Sequence, residues 1–212
     1  MLRGDRVGLR ARYEEDVPVL RRELFNDVVH FSRAHGSPWR PLGSDAGDPL
    51  LTEGEPSPQL VKFSVVELTG GALAGMATLW GIDEHNRSAH IGVGLLPSAR
   101  GRGYGTDVVA VLCHYAFVVR GLRRLQIETL ADNTAMRRSA ERNGFVREGL
   151  TRSSAWALGA FHDQVLFGLL ADDWAARGPA APGAPGSSNA ANSSNAVGSP
   201  DAHGTETRAA GA

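Results

Sequence analysis

One cysteine, one lysine and no long apolar run set the first limits on this chain. Cys113 alone can form neither an intramolecular disulfide nor a cysteine-rich metal site, and no metal is implied elsewhere. No segment approaches the run of about 20 apolar residues that a membrane-spanning helix needs. The first residues carry Arg3, Asp5, Arg6 and Arg10 with no apolar stretch behind them, so they do not read as a secretory signal. The expected location is therefore the cytoplasm, with no membrane partner. Charge of one sign is also lacking. The net charge is -1, which gives no general electrostatic case for nucleic acid as a partner. Lys62 is the only lysine, so almost all positive charge is arginine.

What is present divides in two. Over 178–212, Gly, Ala, Pro, Ser and Asn dominate, aromatic residues vanish, and Val197 is the only large aliphatic residue. Such a segment buries too little to offset its ordering entropy, and disorder is expected. Residues 1–177 carry enough apolar residues for one domain.

Within that domain Val7–Arg10 reads as a short strand. Val17, Leu20, Leu24 and Val28 recur at helical spacing up to about Phe31, with Asp16 placed to cap the start and Pro18 in the first turn. Residues 35–58 lose periodicity and form a long loop carrying Trp39 and Arg40, either lining a substrate mouth or packing on the loop's own base. Leu60–Leu68, Leu73–Ile82 and Ser88–Leu96 then read as an antiparallel meander, its first turn marked by Thr69-Gly70-Gly71. Next comes Arg100-Gly101-Arg102-Gly103-Tyr104-Gly105-Thr106, followed by a helix with Val108, Leu112, Tyr115 and Val119 on one stripe. Leu125–Leu130 is a further strand, and Asp132-Asn133-Thr134 opens a second helix that Asn143-Gly144 closes. Phe145–Glu148 and Phe161–Leu169 form a last strand pair, and Trp174 is expected to pack back on the sheet.

The turn after Leu96 has a chemical meaning of its own. Glycines let a ligand approach the backbone, and the unpaired N–H groups of a helix start, with the positive dipole end behind them, suit an anion. Backbone amides from Gly101 to Thr106 can hold a pyrophosphate, with Arg100 and Arg102 adding charge-assisted contacts. The pattern matches neither the dinucleotide fingerprint nor the lysine-bearing P-loop, and its place after an antiparallel meander argues against a doubly wound fold.

Leu95-Leu96-Pro97 followed by Arg100-x-x-Gly103-x-Gly105 resembles the coenzyme A pyrophosphate motif of the GNAT N-acetyltransferases. Ala131-Asp132-Asn133, and Glu141 to Phe145 ending in Glu148-Gly149, resemble the second half of the same fold. Gly159–Phe167 and onward to Trp174 resembles the end of the branch that holds the ribosomal-protein alanine N-acetyltransferases. The likeness covers about Gly4 to Trp174. It implies an α+β fold with a central mixed, twisted sheet of six to seven strands flanked by helices, opened into a V that takes acetyl-CoA as co-substrate. It further implies that backbone groups near Val93 to Leu95 hydrogen-bond the pantetheine arm. It implies as well that residues 101–106, Tyr104 included, hold the pyrophosphate together with Arg100 and Arg102.

A primary amine is then expected to attack the thioester directly, without an acyl-enzyme. Two positions depart from the common pattern. His90 stands where many members carry the Glu of an E-I-G run, and a near-neutral imidazole can accept the amine's proton; its alternative is a strand histidine that only packs or binds water. Ala140 stands where many members carry a proton-donating tyrosine, and Met136 where the ribosomal-protein branch has a serine, which leaves Ser139 as a displaced candidate against an ordinary helix serine. Asn133 resembles the family asparagine that contacts the pantetheine arm and reads equally as a helix cap, two roles that can coexist. Arg137, Arg138 and Arg142 can reach the coenzyme's 3′-phosphate or simply face solvent. The acceptor is an amine-bearing small molecule, a protein N-terminus or an aminoglycoside-like antibiotic, and the protein a monomer or homodimer. The rival is a non-catalytic acyl-CoA-binding module on the same fold.

Overall fold

A computed structural model describes residues 1–41 and 57–178. The expected disordered tail and most of the long loop, apart from its first residues and the end at Ser57, lie outside the described residues. Eight strands form one sheet: β1 (Leu2–Arg3), β2 (Val7–Arg10), β3 (Leu60–Glu67), β4 (Leu73–Asp83), β5 (Ser88–Leu95), β6 (Arg124–Leu130), β7 (Val146–Ala157) and β8 (Ala160–Leu170). Their spatial order is β1-β2-β3-β4-β5-β6-β8-β7. Every pair is antiparallel except β5–β6, as a helix crossover between those two strands requires. The helices are α1 (Asp16–Leu20), α2 (Val28–Ala34), α3 (Tyr104–His114), α4 (Thr134–Arg142) and α5 (Ala171–Ala176). The sheet is thus mixed, as expected, with one strand more than the upper expectation.

Strand alternation explains the core. Ala89 and Ile91 on β5 and Leu125 and Ile127 on β6 face α3, whose Val108, Val109, Val111 and Leu112 are buried against them. His90, Gly92 and Gly94 face the opposite side of the sheet. There the Cβ position of Gly94 lies 3.3 Å from Leu24, in the helical turn that continues α1.

Local differences from the sequence reading have physical causes. The single helix expected over Val17–Phe31 is two. A wide helical turn over Arg21–Phe25 ends α1, and Asp27, in extended conformation, starts α2 by accepting the His30 N–H. Asp16 does not cap α1. Its carboxylate is buried and turned toward Arg10, the Tyr13 N–H and Ser64. Burial works against that charge, but these three partners outweigh it and hold the carboxyl below the ordinary aspartate range.

The stripe on α3 also fails at its far end. A second wide turn over Tyr115–Val119 rotates Ala116 and Phe117 inward, leaving Val119 58% exposed. Trp174 packs against the core, its ring meeting Phe117 of that turn and His114 at the end of α3. Trp39 donates its indole N–H to the Phe25 carbonyl at 2.8 Å, so it packs on the base of its loop. β7 is three times longer than read. Its residues are mostly exposed, and an exposed polar edge strand carries little periodic signal.

Candidate functional site

The sheet opens at one place. β5 and β6 pair only through Ser88↔Arg124, Ala89↔Leu125 and His90↔Gln126. Beyond these, β5 runs on to Leu95 and stays paired with β4 as far as Gly75↔Leu95. β6 runs on to Leu130 and stays paired with β8 as far as Leu130↔Gln164. Each arm is thus held on its outer side and has no strand on its inner side. At about 3.3 Å per residue, the five residues past His90, Ile91 to Leu95, give a free inner edge of roughly 16 Å. Val93 and Leu95 lie on that edge, half-buried.

At the open end of the V, β5 delivers the chain to the turn found in the sequence. Leu96 N–H bonds to Ala74 O at 2.9 Å and Ala99 N–H to Leu96 O at 2.9 Å, which ties the turn to β4. Gly101 and Gly103 have φ of 74° and 79°, a left-handed conformation that an L side chain resists. Among the described residues, the backbone N–H groups of residues 101–106 find no acceptor, whereas the Asp107 N–H already bonds to Gly103 O. A row of unsatisfied donors at the start of an 11-residue helix is suited to an anion.

The arginines expected to serve this turn take different places. Arg100 lies back along the V, donating from Nε to Leu95 O at 3.1 Å and from Nη2 to His30 Nδ1 at 3.3 Å. Burial and the Arg100 charge hold His30 below the usual histidine range. Arg102 is ion-paired with Glu67 and its guanidinium lies over the Tyr104 ring, 4.7 Å from the centroid. The buried Tyr104 ring thus anchors the helix start from below.

α4 closes the other flank. Asn133 caps it, accepting from Met136 N–H, and gives its amide to Thr129 Oγ1 at 2.9 Å, so both ends of that side chain are used within the protein. Ser139 is buried, donates to Ala135 O at 3.0 Å and lies 3.3 Å from Thr106 Oγ1. It therefore meets the first turn of α3, and the Cβ position of Gly105 is 3.5 Å from its hydroxyl. Ala140, in the place of the family tyrosine, is fully buried. Arg138 is exposed, whereas Arg137 donates to Ala131 O.

His90 sits where the strands part, on the face opposite α3. Its ring stacks on Trp80, with centroids 4.3 Å apart and planes at 24°. Nε2 lies 3.4 Å from the Gln126 amide nitrogen, and Nδ1 is buried without a hydrogen-bond partner. Burial holds the ring below the ordinary histidine value. Arg124 adds to that shift, while Glu128 opposes it. A neutral imidazole at the apex of the V is available to take a proton.

Sequence reading missed Trp80, Gln126 and Glu128 around this apex, His30 beside Arg100 near the open end, and the link that Asn143 makes from α4 to α3 by donating to Thr106 O as well as Ser139 O. The one usable signal was alternation: Gln126 and Glu128 stand between Leu125, Ile127 and Thr129 in a strand that otherwise faces the core. Among the described residues no helix is long and apolar enough to cross a membrane.

Comparison with known proteins agrees with this architecture. The YdaF protein of Bacillus subtilis (strain 168), provisionally named a ribosomal N-acetyltransferase, is 36% identical over 107 residues, covering 50% of this chain and 58% of that protein. The ribosomal-protein-serine acetyltransferase of Escherichia coli (strain K12) is 30% identical over 100 residues, covering 47% and 56%. Both matches span less than two thirds of the relative's length. The solved spermidine N-acetyltransferase of Vibrio cholerae, in complex with CoA and spermine, superposes with a TM-score of 0.72 over 80% of this chain and 98% of that one. At 21% identity that likeness concerns the fold. The acetyltransferase (GNAT) domain pattern matches residues 6–146, and with the parted strands and the glycine turn in their places, the chain belongs to the GNAT acetyltransferase family.

Proposed function

We propose that the protein is an acetyl-CoA-dependent N-acetyltransferase that moves an acetyl group to a primary amine, either a protein N-terminus or a small amine. The observation that carries this reading is the parting of β5 from β6 after His90 and Gln126, in line with the unsatisfied amides of residues 101–106. A long free strand edge suits an amide-bearing arm, and the turn suits a pyrophosphate, at the two ends of one molecule. Fit is supported further by open space at Gly101, where a Cβ would meet nothing within 4 Å.

In this reading residues 93–95 hold the pantetheine arm and one of their N–H groups polarises the thioester carbonyl. The amine nitrogen forms a bond to the acetyl carbon, the amine proton passes to His90, and the C–S bond breaks to release the coenzyme thiolate. Ser139 is turned into contacts with Ala135 and Thr106, and Ala140 carries no proton, so water is the proton source for the thiolate in this mechanism. The relatives' names, one group ribosomal and one spermidine-directed, frame the two acceptor classes.

Release of free thiol from acetyl-CoA across a panel of amines and peptides tests the proposal, with Arg100→Ala and Gly103→Asp as controls. Absence of coenzyme binding by calorimetry ends it. Tight binding with no turnover for any amine and no effect of His90→Ala selects a non-catalytic acyl-CoA-binding module instead, a reading favoured by the buried Ala140 in place of a proton donor.

A further inference from the structure

The face of the sheet that carries His90 has a composition that the coenzyme does not require. Gly92 and Gly94 present no side chain there; Leu24 and Met76 close over Gly94, each 3.3 Å from its Cβ position, and Gly92 lies next to His90. A Cβ on Gly92 would lie 2.4 Å from Thr78 Oγ1 and 3.7 Å from Trp80 Cδ1, so Thr78 and Trp80 share this face. Trp80, 42% exposed, forms an apolar wall beside His90. Across the V, β6 contributes Arg124, Gln126 and Glu128 to the same side by alternation.

The charges on that face are unequally satisfied. Arg124 is committed to Glu148, donating from Nη1 to Oε1 at 2.9 Å with a second contact from Nη2. Arg33 of α2 is committed to Asp132 at 2.6 Å. Glu128 is exposed, and among the described residues it has no ion-pair partner. It lies two residues past Gln126, roughly 6.6 Å along an arm that has just left β5. Its charge nonetheless bears on His90. A carboxylate beside a neutral imidazole, an aromatic wall and Gly92, at the mouth of a cleft, is a receptor for an ammonium group.

We propose that Glu128 is the acceptor-binding residue: its carboxylate receives the reacting amine in its ammonium form and holds it across the V from Gly92; one ammonium proton leaves to water before attack, and the second passes to His90 as the C–N bond forms. This rests on the acetyltransferase reading above. The acceptor class it selects is an unhindered aliphatic primary amine that is cationic in water; aromatic amines, which are neutral at pH 7, gain nothing from it. The bond is charge-assisted and made mainly in the ground state, because the nitrogen is neutral when it attacks. Its loss therefore raises acceptor KM more than it lowers kcat.

The test compares wild type with Glu128→Gln and Glu128→Asp, using n-butylamine, spermidine and an alanine-initiated tetrapeptide as cationic acceptors and an aniline as the neutral one. Glu128→Gln is expected to raise KM for the cationic acceptor that wild type uses best by about tenfold, with kcat within about threefold. KM for acetyl-CoA and the thermal midpoint stay unchanged, and relative preference for aniline rises. Glu128→Asp restores part of the loss, and added salt raises the wild-type KM but not that of the glutamine variant. A wild type that is active while Glu128→Gln behaves identically removes the role of Glu128 alone. A wild type that binds acetyl-CoA but acetylates none of these amines removes the parent proposal, and this role with it. An equal fall in kcat/KM for cationic and neutral acceptors overturns ammonium recognition.

Discussion

His90 of β5 and Gln126 of β6 are the last residues at which the two arms of the sheet face each other, with the histidine Nε2 3.4 Å from the glutamine amide nitrogen. The pair marks the apex of the V, and it fixes an imidazole where the free edge begins. Burial disfavours the imidazolium, so the pKa lies below the ordinary 6.5 and the ring is neutral at pH 7. The sign of the resulting pH effect follows. In the proposed mechanism the deprotonated ring is the active form, and activity is expected to be lost as pH falls through the lowered pKa. The acidic limb of kcat/KM is therefore expected below pH 6.5. His90→Ala removes that limb and lowers the plateau by about a hundredfold or more, which a pH–rate profile from pH 5 to 9 measures. A limb that survives in the variant assigns the proton to another group.

Asp107 secures the helix whose start carries the unsatisfied amides. From the first turn of α3 its carboxylate accepts the backbone N–H groups of Asp5, Arg6 and Val7 at 3.0, 2.8 and 2.9 Å. A Cβ at Gly4 would lie 2.4 Å from that carboxylate, so the β1–β2 turn closes on it tightly. Asp107→Ala strands three donors, one of them at the buried Val7. A loss on the order of 2 kcal/mol is expected, moderated by solvent at Asp5 and Arg6. Asp107→Asn, which keeps one acceptor oxygen, is expected to lose about half as much. Urea unfolding followed by circular dichroism gives both values. Equal stability of alanine and asparagine variants contradicts the hydrogen-bond account.

Gly101 separates backbone conformation from space. Its φ of 74° is left-handed, yet nothing lies within 4 Å of its Cβ position. Gly101→Ala therefore costs about 1 kcal/mol of backbone strain and no clash. If the strain is relieved by turning the peptide, the N–H groups of residues 101 and 102 leave the anion site. Coenzyme A affinity by calorimetry is expected to fall about tenfold or more while the fold stays intact. Unchanged affinity shows that these two amides do not hold the ligand.

The parts of the site that were legible in the sequence are those written in local chemistry. A glycine pattern between a strand and a helix start specifies left-handed turns and unpaired donors wherever the chain goes, so residues 101–106 could be placed from sequence. Side-chain partners across the fold could not. Arg102 reads as a phosphate ligand beside those glycines, but Glu67, 35 residues earlier, lies at the end of β3 and pairs with it. Asp107 reads as an ordinary first-turn acid, although its work is done on a turn about 100 residues away. Helix periodicity assumes a constant turn, so the wide turns at Arg21–Phe25 and Tyr115–Val119 shifted Val28 and Val119 to the surface. The V itself is a relationship between two strands, and neither strand shows in its own residues where the other will leave it.

Gly75 of β4 gives the sharpest test of that relationship, because it acts on the arm from outside the cleft. It pairs with Leu95, the last residue of β5, and a Cβ there would lie 2.2 Å from Gly94 O, 2.9 Å from Leu95 Cα and 3.1 Å from Gly94 C. All three are backbone atoms, so no rotamer change relieves the clash. Gly75→Ala must push β5 away from β4 at the point where Leu96 N–H bonds to Ala74 O and the chain enters the anion turn. Overpacking of this kind costs about 1–3 kcal/mol, and here the displaced strand moves into the V. The expected result is a lowered thermal midpoint together with a loss of coenzyme A binding larger than that of Gly101→Ala. The alternative, that β4 yields and β5 keeps its place, predicts the same destabilisation with coenzyme affinity intact. Calorimetry below the unfolding transition separates the two, and only the first outcome is consistent with β4 holding the free edge of β5 in position.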